Sequence, residues 1–335
     1  MKKQIALKEL MKMSPSRVLL DTDPGIDDAL AILLALAAPE LDLAALTVTG
    51  GNCPLTDGVR NGLNVLALAG ATHIPVAAGV ALPLIRPPIT APETHGDRGL
   101  GYATLPASPV LPVAEHGVDL LIREIMAVPG DVTLVAIGPL TNVAMAIRKE
   151  PRITEAVREL IIMGGALLAE GNVTELAEFN FYVDPHAAHI VLHSGMPIIL
   201  LPWDITQHIR LTQADVDRLL QVGGAIPQFI ADATRFYIDF HLRHFGWAGC
   251  SINDPAALAL AFQPDLARLQ PIYVDVEITS PLTLGKSVAD FQGKTGKPAN
   301  VRAVVEFDQE RFIALFLERM EALAHTAAQR ILAEE

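Results

Sequence analysis

The sequence predicts an α/β protein: a single domain on a mixed, mostly parallel open sheet with helices on both faces. Three observations predict it. Apolar runs of strand length recur at residues 18–20, 43–48, 132–137, 160–163 and 198–201, too short for helices and suited to buried strands. Helical patterns separate them, and strands alternating with helices mean a doubly wound sheet. Acidic and amide side chains gather just after these runs, where ligands bind in open α/β sheets.

Composition narrows the function classes. Hydrophobic residues make up 51% of 335 residues, ample for a large core. No internal repeat or low-complexity tract divides the chain, so residues 1–335 read as one domain, with residues 1–16 as a leader. A net charge of −13 argues against nucleic acid and anionic membrane, which need basic patches. Cys53 and Cys250 are the only cysteines and no spaced Cys/His set accompanies them, so neither a disulfide framework nor a zinc site is expected. Lysines at positions 2, 3, 8 and 12 interrupt any signal-peptide core. No apolar run reaches the ~20 residues that span a bilayer. A soluble, cytoplasmic protein is the expectation.

The first strand, residues 18–20, leads into the stretch that organises the chain, DTDPGIDD. It holds four aspartates in eight residues: Asp21, Asp23, Asp27 and Asp28. Pro24 and Gly25 force a turn, and an Ala/Leu-rich helix follows over 29–36. Asp27 and Asp28 at a helix start are favoured by capping and by the helix dipole, worth ~0.5–2 kcal/mol. The remaining repulsion points to a hard cation, Ca²⁺ or Mg²⁺, which takes carboxylate and carbonyl oxygens.

The other elements follow in order. Pro39 stops the first helix, and strand 43–48 ends at Thr49-Gly50-Gly51-Asn52. A helix over 59–69 closes at Gly70, and residues 74–78 give a third strand. Prolines recur through 80–112, a long loop of the kind that is usually functional; it contains His95-Gly96-Asp97-Arg98-Gly99-Leu100-Gly101. Helix 118–128, strand 132–137 and helix 141–149 follow, with Thr141 as N-cap. Strand 160–163 ends at Gly164-Gly165. After a polar segment from Glu170 to Asn180 come helix 184–193 and strand 198–201. Residues 212–245 are helical with a break at Gly223-Gly224. Asn253-Asp254-Pro255 opens another helix, Pro255 suiting its first position. Val274, Val276 and Ile278 alternate with polar residues as in a half-buried strand. A partner strand over 301–307 and a terminal helix over 308–334 complete the chain.

Strand ends and turns thus collect Asp23, Asp27, Asp28, Asn52, His95, Asn172, Glu178, Asn180 and Asp254. All but His95 are carboxylates or amides, which accept from and donate to hydroxyl groups. That set suits a cation and a polyhydroxylated ligand such as a sugar. Phosphate does not fit: no Lys or Arg lies among these residues, and both a P-loop and a GxGxxG fingerprint are absent.

Five stretches, in order and spacing, resemble the nucleoside hydrolases, the inosine–uridine-preferring family and its relatives: DTDPGIDD, VTGGN, HGDRGLG, EGNVTELAEFN and NDPAA. The likeness runs from about Arg17 to the terminal helix. It implies a nucleoside hydrolase-like α/β domain that splits the N-glycosidic bond of ribonucleosides into ribose and a free purine or pyrimidine base. By this resemblance Asp23, Asp28, Asp254 and the Ile137 carbonyl bind Ca²⁺, and Asp23 is also the base. Asp27, Asn52, Asn172, Glu178 and Asn180 match residues that hold the ribose hydroxyls, with Phe179 and Asn253 beside them. His95 faces the ribose and leaving base. The resemblance further implies nucleobase salvage and a homodimer or homotetramer.

The chemistry suits such residues. N-glycosidic bonds break through an oxocarbenium-like transition state, which nearby carboxylates stabilise. Inosine–uridine-preferring members carry a histidine, and purine-specific members a tryptophan, before the late metal-binding aspartate. Here Asn253 stands in that place, and an amide delivers no proton at neutral pH. His241, His244 and Trp247 lie just upstream as replacements, with His241 taken as the catalytic candidate. Two rival readings remain. Asp21-Thr22-Asp23 after a strand mimics the DxD loop of haloacid-dehalogenase-like phosphatases, although Pro24-Gly25 breaks that pattern. A nucleoside- or sugar-binding homologue without activity is the other.

Overall fold

Side chains of the central strands alternate between two apolar layers, and that alternation builds the molecule. In β1 (Ser16–Thr22) Val18 and Leu20 enter one layer and Leu19 the other. In β4 (Val132–Ala136) Val135 opposes Leu134 and Ala136; in β5 (Glu159–Met163) Ile161 and Met163 oppose Leu160 and Ile162. Side chains of successive residues point to opposite faces of a sheet, so strands apolar at every position must be covered on both sides. The computed structural model describes residues 14–334; most of the expected leader lies outside them.

The remaining strands are β2 (Leu41–Val48), β3 (Val76–Ala78), β6 (Ile198–Leu201), β7 (Arg210–Leu211), β8 (Cys250–Ser251), β9 (Ala267–Val276), β10 (Ser287–Asp290) and β11 (Val301–Phe307). Among the described residues, nine of the eleven strands form one open sheet in the order β10-β9-β11-β6-β5-β4-β1-β2-β3. Strands β1 to β6 pair in parallel, and β11 joins β6 in parallel. The β9 strand pairs antiparallel with β11, and β10 with β9, which makes the sheet mixed. From β1 the chain winds outward to β2 and β3, then returns to β4 on the other side. That reversal leaves a crevice at the carboxyl ends of β1 and β4, the place where open sheets bind ligands.

Helices α1 (Ile26–Ala37), α2 (Leu55–Leu68), α6 (Gln213–Leu220), α7 (Ala225–Phe245), α8 (Asn253–Ala259) and α9 (Gln309–Glu334) cover one face. On the other face lie α3 (Gly117–Ala127), α4 (Thr141–Lys149) and α5 (Pro185–Leu192). Every residue of α1 from Ile26 to Ala35 is buried. A helix buried all round is held from every side; α1 packs against α2, α7, α8 and α9.

Several boundaries differ from expectation for physical reasons. Helix α1 begins at Ile26, so Asp27 and Asp28 lie within its first turn, and Asp28 Oδ2 accepts from the Gly25 N–H at 2.9 Å. Thr141 is not the N-cap: Leu140 takes that position, and the Thr141 hydroxyl donates to Asp184 Oδ2 at 2.8 Å. The helix expected over 184–193 is preceded by a separate turn, Phe179–Val183, because Asp184 leaves the helix to cap α5 through the Ala187 N–H. Pro255 occupies the third position of α8 rather than the first, still within the turn whose N–H groups lack helical partners. The small β7–β8 pair and the edge strand β10 were not expected; they are two and four residues long.

Candidate active site

The DTDPGIDD turn sits at the carboxyl end of β1, and its aspartates are taken out of water. Asp23, Asp27, Asp28 and Asp254 are all buried. Asp23 Oδ2 accepts from the Asn52 N–H at 2.7 Å, while Asp23 Oδ1 is buried with no hydrogen-bond partner. Space around it is kept by glycines: a Cβ on Gly51 would stand 2.0 Å from Oδ2, and one on Gly138 2.5 Å from Oδ1. Asp28 is wrapped more fully. Its Oδ1 accepts from the Thr22 hydroxyl at 2.5 Å and the Asp23 N–H at 3.2 Å; its Oδ2 accepts from Gly25 N–H and Asn52 Nδ2, each at 2.9 Å.

Packing of α8 against α1 brings Asp254 to these acids across more than two hundred residues. Asp27, Asp28 and Asp254 each present a carboxylate oxygen within 4.8 Å of the others. Burial and mutual repulsion push Asp23 and Asp254 well above the usual carboxylate range. Burial, then the charge of Asp28, pushes Asp27 up to about 7. So many buried like charges are stable only when protonated or paired with a cation. The donor set is all oxygen, which suits a hard divalent ion. Asp21, one residue from the β1 end, faces away: it accepts from Thr47 Oγ1 at 2.5 Å and Asn142 Nδ2 at 2.8 Å, and burial raises it to about 7.

Asp27 and Asp254 line the floor of a cavity of about 270 Å³, whose lining also includes Asn52, His95, Ile137, Asn172, Glu178, Phe179, Asn180, His241 and Asn253. Asn180 donates Nδ2 to the Ile137 carbonyl at 3.0 Å and to the Met163 carbonyl at 3.1 Å, which fixes its amide against the ends of β4 and β5. Glu178 caps the turn Phe179–Val183. Its carboxylate accepts from the N–H groups of Asn180, Phe181 and Gly165 at 2.9, 3.2 and 2.7 Å. Burial nonetheless raises it to about 6. Asn172 Oδ1 accepts from Phe179 N–H at 2.9 Å, closing the segment on itself.

Two imidazoles are held in defined tautomers. His95 Nδ1 accepts from the Ile26 N–H at 3.1 Å, so the neutral ring carries its proton on Nε2. Burial, with His241 nearby, lowers its pKa to about 3. His241 Nδ1 faces the Tyr237 carbonyl at 2.8 Å; a carbonyl only accepts, so Nδ1 holds the proton. Burial lowers His241 to about 4. Both rings are therefore neutral at pH 7. His244 is exposed, on the rim of the cavity.

Sequence reasoning missed most of the aromatic wall. Tyr237 and Phe240 of α7, together with Trp203 and Phe245, line the cavity. A helical period marks Tyr237 and Phe240 only as apolar, without saying which neighbour they face. Trp203 had a usable signal, since it lies two residues past the end of β6. Trp247 is not in the lining: it stacks on His241 and Phe245 at ring separations of 5.5 and 4.5 Å, under the Arg210 guanidinium at 4.1 Å.

Residues 18–314 match the family model for inosine-uridine preferring nucleoside hydrolase. The chain belongs to this family. It is 38% identical over 311 residues to the inosine-uridine preferring nucleoside hydrolase of Crithidia fasciculata, covering 92% of this chain and 98% of the relative. It is 38% identical to the pyrimidine-specific ribonucleoside hydrolase RihA of Salmonella arizonae, over 91% of this chain and 98% of that one. Among solved structures, the purine-preferring ribonucleoside hydrolase from Gardnerella vaginalis superposes with a TM-score of 0.88 at 33% identity, over 92% of this chain and 99% of the other. The protein is thus a ribonucleoside hydrolase, and the phosphatase and non-catalytic readings are set aside. The expected nucleoside hydrolase-like open sheet is the one observed.

Proposed function

We propose that this enzyme hydrolyses the N-glycosidic bond of both purine and pyrimidine ribonucleosides with Ca²⁺ in the acidic pocket. The observation that carries the reading is the buried convergence of Asp27, Asp28 and Asp254, with Asp23 hydrogen-bonded through its N–H to Asp28 and its own Oδ1 left unpaired. Asp28, Asp254, Asp23 and the Ile137 carbonyl would hold the ion, and Asp27 lies within reach of the same group. When bound, Ca²⁺ supplies positive charge that offsets the repulsion, favours ionised carboxylates and makes nearby water more acidic.

Asp23 then acts as the base: its free Oδ1 takes a proton from the attacking water. Asp27, Asn52, Asn172, Glu178 and Asn180 grip the ribose hydroxyls. Hydrogen bonds to backbone for Asn172, Glu178 and Asn180, and to side chains for Asp27 and Asn52, hold these groups ready, so little reorganisation is needed as the sugar flattens toward the oxocarbenium state. His95, neutral with its proton on Nε2, donates toward the ribose or base. His241 offers Nε2 beside the leaving base. The rings of Tyr237, Phe240, Trp203 and Phe245, with Phe179, supply an apolar wall for a planar heterocycle. A wall that recognises a π-face more than a particular edge supports acceptance of both base classes.

The same reading makes the protein a cytoplasmic salvage enzyme, assembled as the homodimer or homotetramer the resemblance implies; light scattering on the eluting protein tests the assembly. Among the described residues no helix is long and apolar enough to cross a membrane. The deciding experiment measures ribose released from inosine and uridine before and after chelation, with Ca²⁺ then restored. Turnover that survives complete chelation would overturn the metal assignment; turnover of only one nucleoside would overturn the breadth.

A further inference from the structure

A second group of metal-ligating side chains lies away from the cavity, where α5 meets the edge-ward strand β9. His189 is in the last turn of α5 and His193 is its C-cap, four residues on, so both imidazoles project from one side of the helix. Their ring centroids are 4.3 Å apart. Asp275 of β9 faces both: its Oδ1 is 2.9 Å from His189 Nδ1 and its Oδ2 3.7 Å from His193 Nε2. All three donor atoms lie within 4.8 Å of one another.

The atoms are disposed as ligands. His193 Nδ1 donates to the His189 carbonyl at 2.8 Å, which leaves Nε2 facing the Tyr273 hydroxyl at 3.2 Å and Asp275 Oδ2 at 3.7 Å. A ligating imidazole fixed through its other nitrogen by a carbonyl is the usual supporting arrangement at metal sites. His189 Nδ1 donates to Asp275 Oδ1; moving that proton to Nε2 frees Nδ1 without any change of charge. Tyr273 donates to Asp275 Oδ2 at 2.9 Å, holding the carboxylate from the side. Burial opposes the charge on Asp275, but hydrogen bonds from Val276 N–H, Tyr273 and His189, with His193 beside it, hold it below the usual carboxylate range.

We propose that His189, His193 and Asp275 form a site for a borderline divalent cation of the zinc class, bridging α5 to β9. Two nitrogens and one carboxylate select such an ion over Ca²⁺, which takes oxygen donors. Donor distances of ~2.0–2.2 Å to the ion need the three atoms ~3.3–3.5 Å apart. The two histidine-to-carboxylate spacings, 2.9 Å to Oδ1 and 3.7 Å to Oδ2, lie on either side of that value, and side chains about one-third exposed have room to close on it. Three protein ligands leave a fourth position open to solvent. A sequence search for metal motifs passes over this group because Asp275 is 86 residues from His189 and no cysteine takes part.

One neighbour opposes the ion. Lys297 Nζ donates to the Tyr273 hydroxyl at 2.7 Å, which puts a positive charge beside the site. Removing that charge should tighten binding.

The test uses the full chain without an affinity tag, in excess Ca²⁺ so that the acidic pocket does not compete. Titration with Zn²⁺, followed by calorimetry and by metal content after gel filtration, should show one equivalent bound. His193→Gln and Asp275→Asn should each abolish that equivalent, and Lys297→Gln should strengthen it several-fold. His193 is exposed, so its replacement leaves the core untouched; a thermal melt matching wild type in the absence of Zn²⁺ checks this. No uptake by wild type, or equal uptake by wild type and His193→Gln, would overturn the proposal.

Discussion

Asn253 donates its side-chain amide to Asp27 Oδ2 at 3.0 Å, across 226 residues of sequence. The contact turns the amide nitrogen toward the acidic floor and leaves Asn253 Oδ1 buried without a partner. Asn253 therefore positions a carboxylate and supplies no proton to a departing base. His241, the nearest replacement acid, is neutral at pH 7 with its proton committed to the Tyr237 carbonyl. A positioned general acid contributes ~10²–10⁴-fold. We expect that handicap on inosine and uridine, but not on p-nitrophenyl riboside, whose leaving group needs no protonation. Asn253→His should raise kcat on the natural nucleosides and leave the nitrophenyl substrate nearly unchanged. Equal turnover of activated and natural substrates by wild type would refute this. His241→Ala then decides whether that imidazole supplies the proton, by selective loss on natural nucleosides.

Metal content and activity should fall together in Asp28→Asn. Asp28 accepts four hydrogen bonds, from Thr22, Asp23, Gly25 and Asn52, two on each oxygen, so the variant loses the charge and the two bonds at whichever oxygen becomes Nδ2. Asp23→Asn should weaken metal binding and also remove the base, so saturating Ca²⁺ should restore binding without restoring turnover. Elemental analysis alongside ribose release separates the two. A metal-free protein with full activity would sink the idea.

Ribonucleosides should outperform 2′-deoxyribonucleosides by roughly 10⁴-fold or more in kcat/KM, the scale on which a site built around a hydroxyl rejects the analogue lacking it. The cause is the buried set Asp27, Asn52 and Asn180, left unpaired when the hydroxyl is missing. Comparable values for inosine and 2′-deoxyinosine would show that these residues do not read the sugar. Nucleoside 5′-phosphates should also be poor substrates, because Glu178 repels the phosphate.

Glu178 predicts a pH dependence. Its carboxylate, raised from 4.5 to about 6, must be ionised to accept from a ribose hydroxyl. Thus kcat/KM should drop as pH falls through about 6, and Glu178→Gln should lose that inflection. Stability runs the opposite way. A carboxyl whose folded pKa is raised favours the folded state fully below 4.5, and that contribution is lost as pH rises through about 6, by about 2 kcal/mol in all. Melting of wild type relative to Glu178→Gln, compared at pH 4.5 and 7.5, reads this difference. An unchanged gap would mean that Glu178 titrates alike in the folded and unfolded chain.

Much of this molecule is legible in one dimension. Apolar runs of three to six residues bounded by turn formers are too short for helices and suit buried strands, and the helices between them allow parallel pairing. The density of DTDPGIDD announces a charged site, since four acids so close are costly without a counter-ion. Boundaries were less legible: whether Thr141 or Leu140 ends the turn depends on Asp184, a partner 43 residues away.

The sequence by itself determined the open α/β sheet, the acidic turn at the end of β1 and the amide-and-carboxylate character of the site. These follow from local period and composition, which every short segment carries within itself. Tertiary structure alone decided which groups meet. It brought Asp254 to Asp27 and Asp28 through the packing of α8 on α1, turned Asn253 onto Asp27, put Tyr237 and Phe240 of α7 over the cavity, and withdrew Trp247 behind His241. Helix periodicity says that a face is apolar but not what it touches, and the protonation of a carboxyl or imidazole depends on neighbours that only the folded chain supplies.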